Sequence, residues 1–207
     1  MESLKDKHVG ETLSIVGKGP SLQFLTRDHF KPGPIITMNQ AIIAVEDLDL
    51  PNPIYSMQKD GGPYATTYPM CDGDATCEYS GNCGDECGSK VRPRKATLLV
   101  HTYESRCCFP DYKPRVEFNV MWMGFKFHLS SFFVTLRFGN HFGCAKYNII
   151  SCDGISGNDN RTYIPNTKDE MNVDNGYNEQ KEIANVFLPH YPHKFITPRR
   201  SEKNGTP

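Results

Sequence analysis

This sequence has no long apolar runs and no excess of charge of either sign. Its 207 residues include 23 Lys or Arg, 24 Asp or Glu and a single Trp, and the formal net charge is −1. No apolar run approaches the length of a membrane-spanning helix, and Met1–Lys7 contain no apolar core of the kind that signal peptides have. We therefore expect a soluble, cytoplasmic protein without a membrane partner.

The balanced charge also leaves no overall field that would attract nucleic acid or a membrane surface. Two local basic spots exist, Arg92-Pro93-Arg94-Lys95 and Arg199-Arg200. We expect both to be solvated surface rather than a groove for a duplex.

The composition is sufficient for one folded domain. Hydrophobic residues make up 38% of the chain, with 12 Phe and 10 Tyr, so a sizeable core can form. Residues 60–95 are the exception, because they are rich in Gly, Pro, Asp and Cys and hold hardly any aliphatic side chains. We expect a single α/β domain over residues 1–207, with residues 60–95 as a Cys-rich inserted loop and residues 197–207 as a loose tail.

Short apolar segments alternate with segments of helical periodicity. The segments typical of buried parallel strands are residues 12–17, 34–38, 54–57, 96–101 and 147–152. Apolar residues recur at helical spacing in residues 128–138, and a final helix is expected over about Tyr177–Leu188, before Pro189. This alternation predicts an open, mainly parallel sheet with helices on both faces.

The turn after the first strand has the residue types that favour a bound phosphate. Gly17 and Gly19 allow close approach of the main chain, and Pro20 suits the first turn of a helix. The amides at such a helix start attract anions, and Ser21 can cap the helix or contact a ligand. A tight turn without any ligand is the alternative, since the third glycine and the acidic residue of the dinucleotide fingerprint are missing.

This region resembles two related groups of Rossmann-like proteins. The matching pieces are Val16-Gly17-Lys18-Gly19-Pro20-Ser21-Leu22, Thr37-Met38-Asn39-Gln40, the strand leading to Lys59-Asp60, and Asn148-Ile149-Ile150-Ser151-Cys152-Asp153. They follow the order seen in bacterial CMP-sialic-acid sialyltransferases and in archaeal 6-hydroxymethylpterin pyrophosphokinase-like proteins, and they are also similar to short variants that phages carry. The resemblance covers most of residues 12–155.

The resemblance implies a set of nucleotide-binding residues. Under it, a nucleotide phosphate or ribose is surrounded by the glycine-rich turn, with Gly17, Lys18, Gly19 and Ser21. The nucleotide lies beside the ends of the second and third strands, with Asn39 and Asp60. The donor phosphate is contacted by Arg161 and Tyr163, beyond the fifth strand. Asp153 would face the reaction centre or a metal.

The resemblance does not identify a general base in this sequence. Residues 164–177 hold no histidine, although the sialyltransferases place their general base shortly before the last helix. The candidates are therefore Asp153, His101 and His128, with Asp60 as a further carboxylate near the same edge.

Four cysteines fall in the inserted loop, at C-x5-C-x5-C-x3-C spacing. Cys71, Cys77, Cys83 and Cys87 could fold this loop around a structural zinc ion, which would supply the order that apolar burial cannot. Free thiols and disulfides are the alternatives, and a reducing compartment disfavours disulfides.

Together these features predict a nucleotide-dependent transferase, glycosyltransferase-like, which moves a group from an activated nucleotide donor to an acceptor hydroxyl. Two alternatives stay open: a Mg²⁺-dependent pyrophosphokinase, with Asp60 and Asp153 on the metal, and a viral binding module without catalysis. The expected partner is a nucleotide or nucleotide sugar. The acceptor is not identified by the sequence, and a homo-oligomer is not excluded by it.

Overall fold

A computed structural model describes residues 1–58, 92–101, 109, 111–119, 131–157, 159, 161–163, 171–173 and 177–200. The predictions for Asp60, for His128 and for the four cysteines Cys71, Cys77, Cys83 and Cys87 lie outside these residues.

Nine strands are described, and seven of them form one parallel sheet. In chain order the strands are β1 (Thr12–Val16), β2 (Ile35–Met38), β3 (Ile54–Gln58), β4 (Thr97–His101), β5 (Arg115–Phe118), β6 (Lys146–Ile150), β7 (Arg161–Tyr163), β8 (Met171–Val173) and β9 (His193–Ile196). Strands β7 and β8 form a separate antiparallel pair. The open, parallel α/β architecture is confirmed. The five predicted strands are present with small shifts of their ends, whereas β5 and β9 were not predicted.

The sheet has the order β5-β4-β3-β2-β1-β6-β9. From β1 the chain builds the sheet outward to β5, and it then returns to the other side of β1 to add β6 and β9. Strand β1 therefore lies between β2 and β6, with Ile15 paired with Ile36 on one side and with Ile149 on the other. This reversal is the topological switch point, where ligands of open α/β sheets bind beyond the carboxyl ends of the strands.

Four α-helices accompany the sheet in the described part of the chain. They are α1 (Ala41–Asp47), α2 (Ser131–His141), α3 (Asp153–Ser156) and α4 (Tyr177–Phe187). The two helices predicted over residues 128–138 and 177–188 are present as α2 and α4. None of the helices in the described residues is both long and apolar enough to cross a membrane.

The helix expected after Gly19 is a short 3-10 helix. Pro20–Phe24 form a five-residue 3-10 helix, in which the Leu22 amide donates to the Gly19 carbonyl at 2.9 Å. Leu25 is already extended, so the segment ends before one full α-helical hydrogen bond can form. The macrodipole argument for a phosphate at this position therefore does not apply.

Alternate residues along the strands supply two apolar layers. On one face, the strands pack against α2, α4 and the amino-terminal segment, with Leu13, Ile15 and Ile149 among the buried residues. On the opposite face, Val16, Ile35 and Ile150 pack with α1 and with the 3-10 helix Pro20–Phe24. Residues i and i+2 of a strand share a face, so this alternation confirms that helices cover both sides of the sheet.

Glu46, near the end of α1, fixes the start of β4. Its buried carboxylate accepts the amides of three successive residues, Arg94, Lys95 and Ala96, at distances of 2.8 to 3.1 Å, and the Arg94 side chain forms an ion pair with it at 3.4 Å. A carboxylate in a nest of backbone amides makes charge-assisted hydrogen bonds, which are stronger than neutral ones. The side chains of Arg92, Arg94 and Lys95 form surface ion pairs and stay 45 to 62% exposed, so this basic spot is solvated surface, as predicted.

Replacing Glu46 by Ala should lower the free energy of unfolding by about 3 kcal/mol, because three amides that the carboxylate now satisfies lose their acceptor. Asp47→Ala is the matched control, since it removes only the exposed ion pair with Arg94 and should cost less than about 1 kcal/mol. Urea unfolding followed by circular dichroism measures both. Equal effects of the two substitutions would contradict the assigned role of Glu46.

Candidate functional site

The turn after β1 crosses the turn after β6 at the switch point. The Gly17 amide donates to the Ile150 carbonyl at 2.8 Å, and the Gly19 amide donates to the Ser151 carbonyl at 2.7 Å. The two turns are therefore joined by main-chain hydrogen bonds directly beyond the carboxyl ends of their strands.

Both glycines are required by this crossing. A Cβ atom on Gly17 would lie 2.6 Å from the Cys152 Sγ and from the Ser151 carbonyl oxygen, and one on Gly19 would overlap the Asp153 carboxylate. Real Cβ atoms do not approach other atoms so closely. As predicted, the main chain of this turn comes very close to other atoms. These atoms belong to Ser151, Cys152 and Asp153 of the same chain.

Ser21 and Asp153 form a buried pair across the two turns. The Ser21 amide donates to Asp153 Oδ2 at 2.7 Å, and the Ser21 hydroxyl donates to Oδ1 at 2.9 Å. Only 6% of Ser21 and 7% of Asp153 are exposed. The carboxylate thus occupies the position that the sequence pattern assigned to a ligand anion, and Asp153 can accept a proton from a substrate only after it separates from Ser21.

Lys18 connects the β1 turn to the end of β2. Its Nζ atom donates to Gln40 Oε1 at 2.9 Å. Asn39, next to Gln40, is buried and has a left-handed backbone with φ of +48°, and its amide donates to the Met57 carbonyl at 2.9 Å. A cation and two side-chain amides therefore lie at adjacent strand ends, where they can contact phosphate and hydroxyl groups.

Tyr163 joins the same group of residues through its main chain. Its amide donates to the Lys18 carbonyl at 2.7 Å, and its half-buried side chain packs against the core cluster that includes Leu22. Arg161, two residues earlier, makes two hydrogen bonds to Asp159, at 2.8 and 2.7 Å. The guanidinium of Arg161 lowers the pKa of the Asp159 carboxyl. A phosphate bound by Arg161 would have to compete with Asp159.

His101 lies at the carboxyl edge of the sheet but distant from the β1 turn. It ends β4, it is 3% exposed, and its ring meets Phe118 edge to face at 5.4 Å between centroids. Three strand spacings separate β4 from β1, and a fourth leads to β6, so His101 lies roughly 14 to 19 Å from the Ser21–Asp153 pair across the sheet. The two candidate bases cannot act on one atom.

Sequence reasoning did not predict two residues of this site, Gln40 and Ser151. Gln40 was noted only as part of the strand end, and its contact with Lys18 depends on the pairing of β1 with β2. Ser151 has a left-handed φ of +53°, and its fully buried hydroxyl has no hydrogen-bond partner in the described residues. Backbone strain of this kind concentrates at functional sites and at tight crossings.

Two cysteines are described, and both are buried and reduced. Cys152 contacts the glycine turn and donates weakly to the Ile150 carbonyl at 3.7 Å, while Cys144 lies beyond α2. Among the residues that the structure describes, no three His, Cys, Asp or Glu side chains come together as metal ligands.

No family model and no curated protein matches the chain. The resemblance to the sialyltransferase and pyrophosphokinase groups therefore stays a prediction.

The Ser21–Asp153 pair should show strong energetic coupling. In a double-mutant cycle with Ser21→Ala and Asp153→Ala, the coupling energy should be about 1 to 3 kcal/mol, because either single change leaves a buried polar group without its partner. Ser156→Ala removes an exposed hydroxyl of α3 and serves as the control, with a change within about 0.5 kcal/mol. Unfolding free energies that simply add would show that the pair is not a stabilising link.

The described thiols should be unreactive in the folded protein. Burial raises the pKa of Cys144 to about 12, with a contribution from Glu11, and burial beside Asp153 raises the pKa of Cys152. Since an unfolded thiol has a pKa of about 8.5, the free energy of unfolding should fall as the pH rises above that value. Iodoacetamide at pH 8 followed by peptide mass spectrometry should find both cysteines unmodified until urea unfolds the chain. Labelling at equal rates with and without urea would contradict this.

Proposed function

We propose that this chain is a nucleotide-dependent transferase, glycosyltransferase-like, that binds its activated nucleotide donor at the switch point between β1 and β6. The observation that supports this most is the convergence of Lys18, Asn39, Asp153 and Tyr163 on one edge of a parallel sheet. In open α/β sheets, this edge is the usual place for a ligand.

The donor phosphate would bind beside Lys18. Four amides of the turn, those of Gly17, Gly19, Ser21 and Leu22, donate to the chain's own acceptors, so side chains supply the phosphate contacts in this proposal. Lys18 carries the charge, and its partner Gln40 is a neutral amide that a phosphate oxygen can replace.

The nucleoside would extend along the strand ends toward β3. Asn39 and Gln58 lie there, both buried, and the Gln58 side chain donates to Ser56 Oγ at 2.7 Å. Buried, oriented amide groups of this kind read ribose hydroxyls or base edges through paired donors and acceptors. The base of the donor would therefore be selected at the ends of β2 and β3.

In the transfer step, the acceptor oxygen bonds to the donor carbon while the bond from that carbon to the nucleotide phosphate breaks. The acceptor proton passes to Asp153, once its carboxylate has left Ser21, and the charge of the leaving phosphate is stabilised by Lys18 together with Arg161 and Tyr163. His101 is too distant from Asp153 to share this role, and it would instead contact a part of a substrate that extends toward β4.

The Mg²⁺-dependent pyrophosphokinase is the alternative. Like the transferase, it needs Asp153 to leave Ser21, in this case to become a metal ligand. Its second expected ligand, Asp60, lies outside the described residues. A binding module without catalysis would use the same nucleotide contacts but would not need Asp153 to leave Ser21.

The nucleotide site can be tested by thermal shift. The protein, supplied with zinc, is heated with CMP, UMP, GMP, AMP and their triphosphates, with and without Mg²⁺. A pyrimidine nucleotide should raise the melting temperature without Mg²⁺, because a ligand that binds only the folded state stabilises it. Lys18→Gln should weaken binding about tenfold through loss of a charged hydrogen bond.

The control for this experiment is Lys31→Gln, which removes the same charge from an exposed position away from the switch point. It should leave the nucleotide shift unchanged. An ATP shift that requires Mg²⁺ would favour the pyrophosphokinase, and the absence of a shift with every nucleotide would overturn the proposed site.

A further inference from the structure

The sheet face formed by β6 and β9 is polar over its amino half. Lys146, Asn148 and Ile150 share one face of β6, and Lys194 and Ile196 share that face in β9. Ile150 is buried in the core cluster with α1, whereas Lys146 and Lys194 are exposed and Asn148 is half-buried. Asn148 is the register partner of Lys194, so Lys146 is the diagonal neighbour of Lys194, at roughly 8 Å between Cα atoms.

The cations on this face have no acidic partners in the described residues. Lys146 and Lys194 take part in no described ion pair, and neither do Arg199 and Arg200, which follow β9 and are exposed. The acidic residue closest in the strand register is Glu11, which precedes β1. Its carboxylate lies 3.4 Å from His8 Nδ1, on the opposite face of the sheet.

Several basic residues elsewhere in the described part of the chain are compensated by carboxylates. Arg92 pairs with Asp111, Arg94 with Asp47, and Arg161 with Asp159. The four cations at β6 and β9 are thus a local excess of positive charge in a chain whose formal net charge is −1. We call Lys146, Lys194, Arg199 and Arg200 the β9 strip.

The β9 strip runs toward the switch point. The Ser151 amide donates to the Ile196 carbonyl at 3.1 Å, so β9 ends beside the turn that carries Asp153. Pro198 is buried, which anchors the segment between Ile196 and Arg199.

We propose that the β9 strip binds the phosphate backbone of a single-stranded nucleic acid. Lys146 and Lys194 are neighbours on one sheet face and present their charges to one phosphate backbone rather than to the two of a duplex. Cations that release condensed counterions supply most of the sequence-independent affinity for nucleic acids. Because the strip leads to the switch point, this strand would be the acceptor substrate; that last step rests on the proposed transferase function.

A membrane surface fits the strip less well. Peripheral membrane binding combines cations with apolar side chains that insert into the interface. The large apolar side chains that are exposed in the described residues are Val9, Val186 and Phe187, and the last two belong to α4, which packs on the opposite face of the sheet. The strip itself presents only polar and charged groups.

The experiment measures binding of a fluorescein-labelled 20-nucleotide DNA strand by anisotropy, in 25 to 200 mM NaCl and without any nucleotide donor. The logarithm of the association constant should fall with the logarithm of salt concentration with a slope of about −3, as expected for four phosphate contacts. In the double variant Lys146→Gln/Lys194→Gln, this slope should become shallower by about 1.4, and affinity at 50 mM salt should fall at least about tenfold.

Lys5→Gln/Lys31→Gln is the matched control, since it removes two exposed charges that lie outside β6 and β9. Its affinity should stay within about twofold of the parent protein, because distant exposed charges are screened. Unchanged melting temperatures establish that both double variants are folded. Equal losses in the two double variants, tighter binding of the duplex form, or tighter binding to phosphatidylserine vesicles would overturn the proposal.

This test is independent of the proposed nucleotide site. If the protein responds to nucleotides but does not bind the DNA strand, only the proposed role of the β9 strip is overturned. If it binds the DNA strand with the expected salt slope but responds to no nucleotide, the role of the β9 strip is supported and the transferase proposal is overturned.

Discussion

The crossing of the β1 and β6 turns is the constraint on which the rest of this structure depends. Two glycines allow the turns to touch, and the buried Ser21–Asp153 pair locks them together. The close approach continues the pairing of β1 with β6 beyond the ends of both strands, at the point where the strand order reverses. The same contacts that build the sheet therefore also define the edge where a ligand can bind.

The central strands could be predicted from the sequence because they are short, buried on both faces and rich in β-branched residues. Strands β5 and β9 could not, since Arg115–Phe118 and His193–Ile196 mix charged and apolar residues at the sheet edges, where burial is incomplete. For the segment after Gly19, the sequence predicted the start of a helix, and the structure has a 3-10 helix there. Local propensity did not reveal that the main chain becomes extended again at Leu25.

Sequence reasoning could predict the parts of the candidate site that lie directly after the ends of strands. The rule for parallel sheets correctly brings Lys18, Asn39 and Asp153 to one edge, whatever their functions. It does not say which strands are neighbours, so the separation of His101 from Asp153 required the strand order. Pairings such as Lys18 with Gln40, or Arg161 with Asp159, depend on side-chain positions that composition and spacing do not encode.

Glu46 gives this fold a particular tolerance to changes in the segment that joins β3 to β4. The amides of Arg94, Lys95 and Ala96 are held by a helix that precedes β3, so the entry into β4 is fixed by contacts outside that joining segment. The entropy of closing a loop rises only slowly with its length. A joining segment of very different length or composition could therefore be exchanged during evolution while the sheet keeps its register, which makes this connection a natural place for lineage-specific additions.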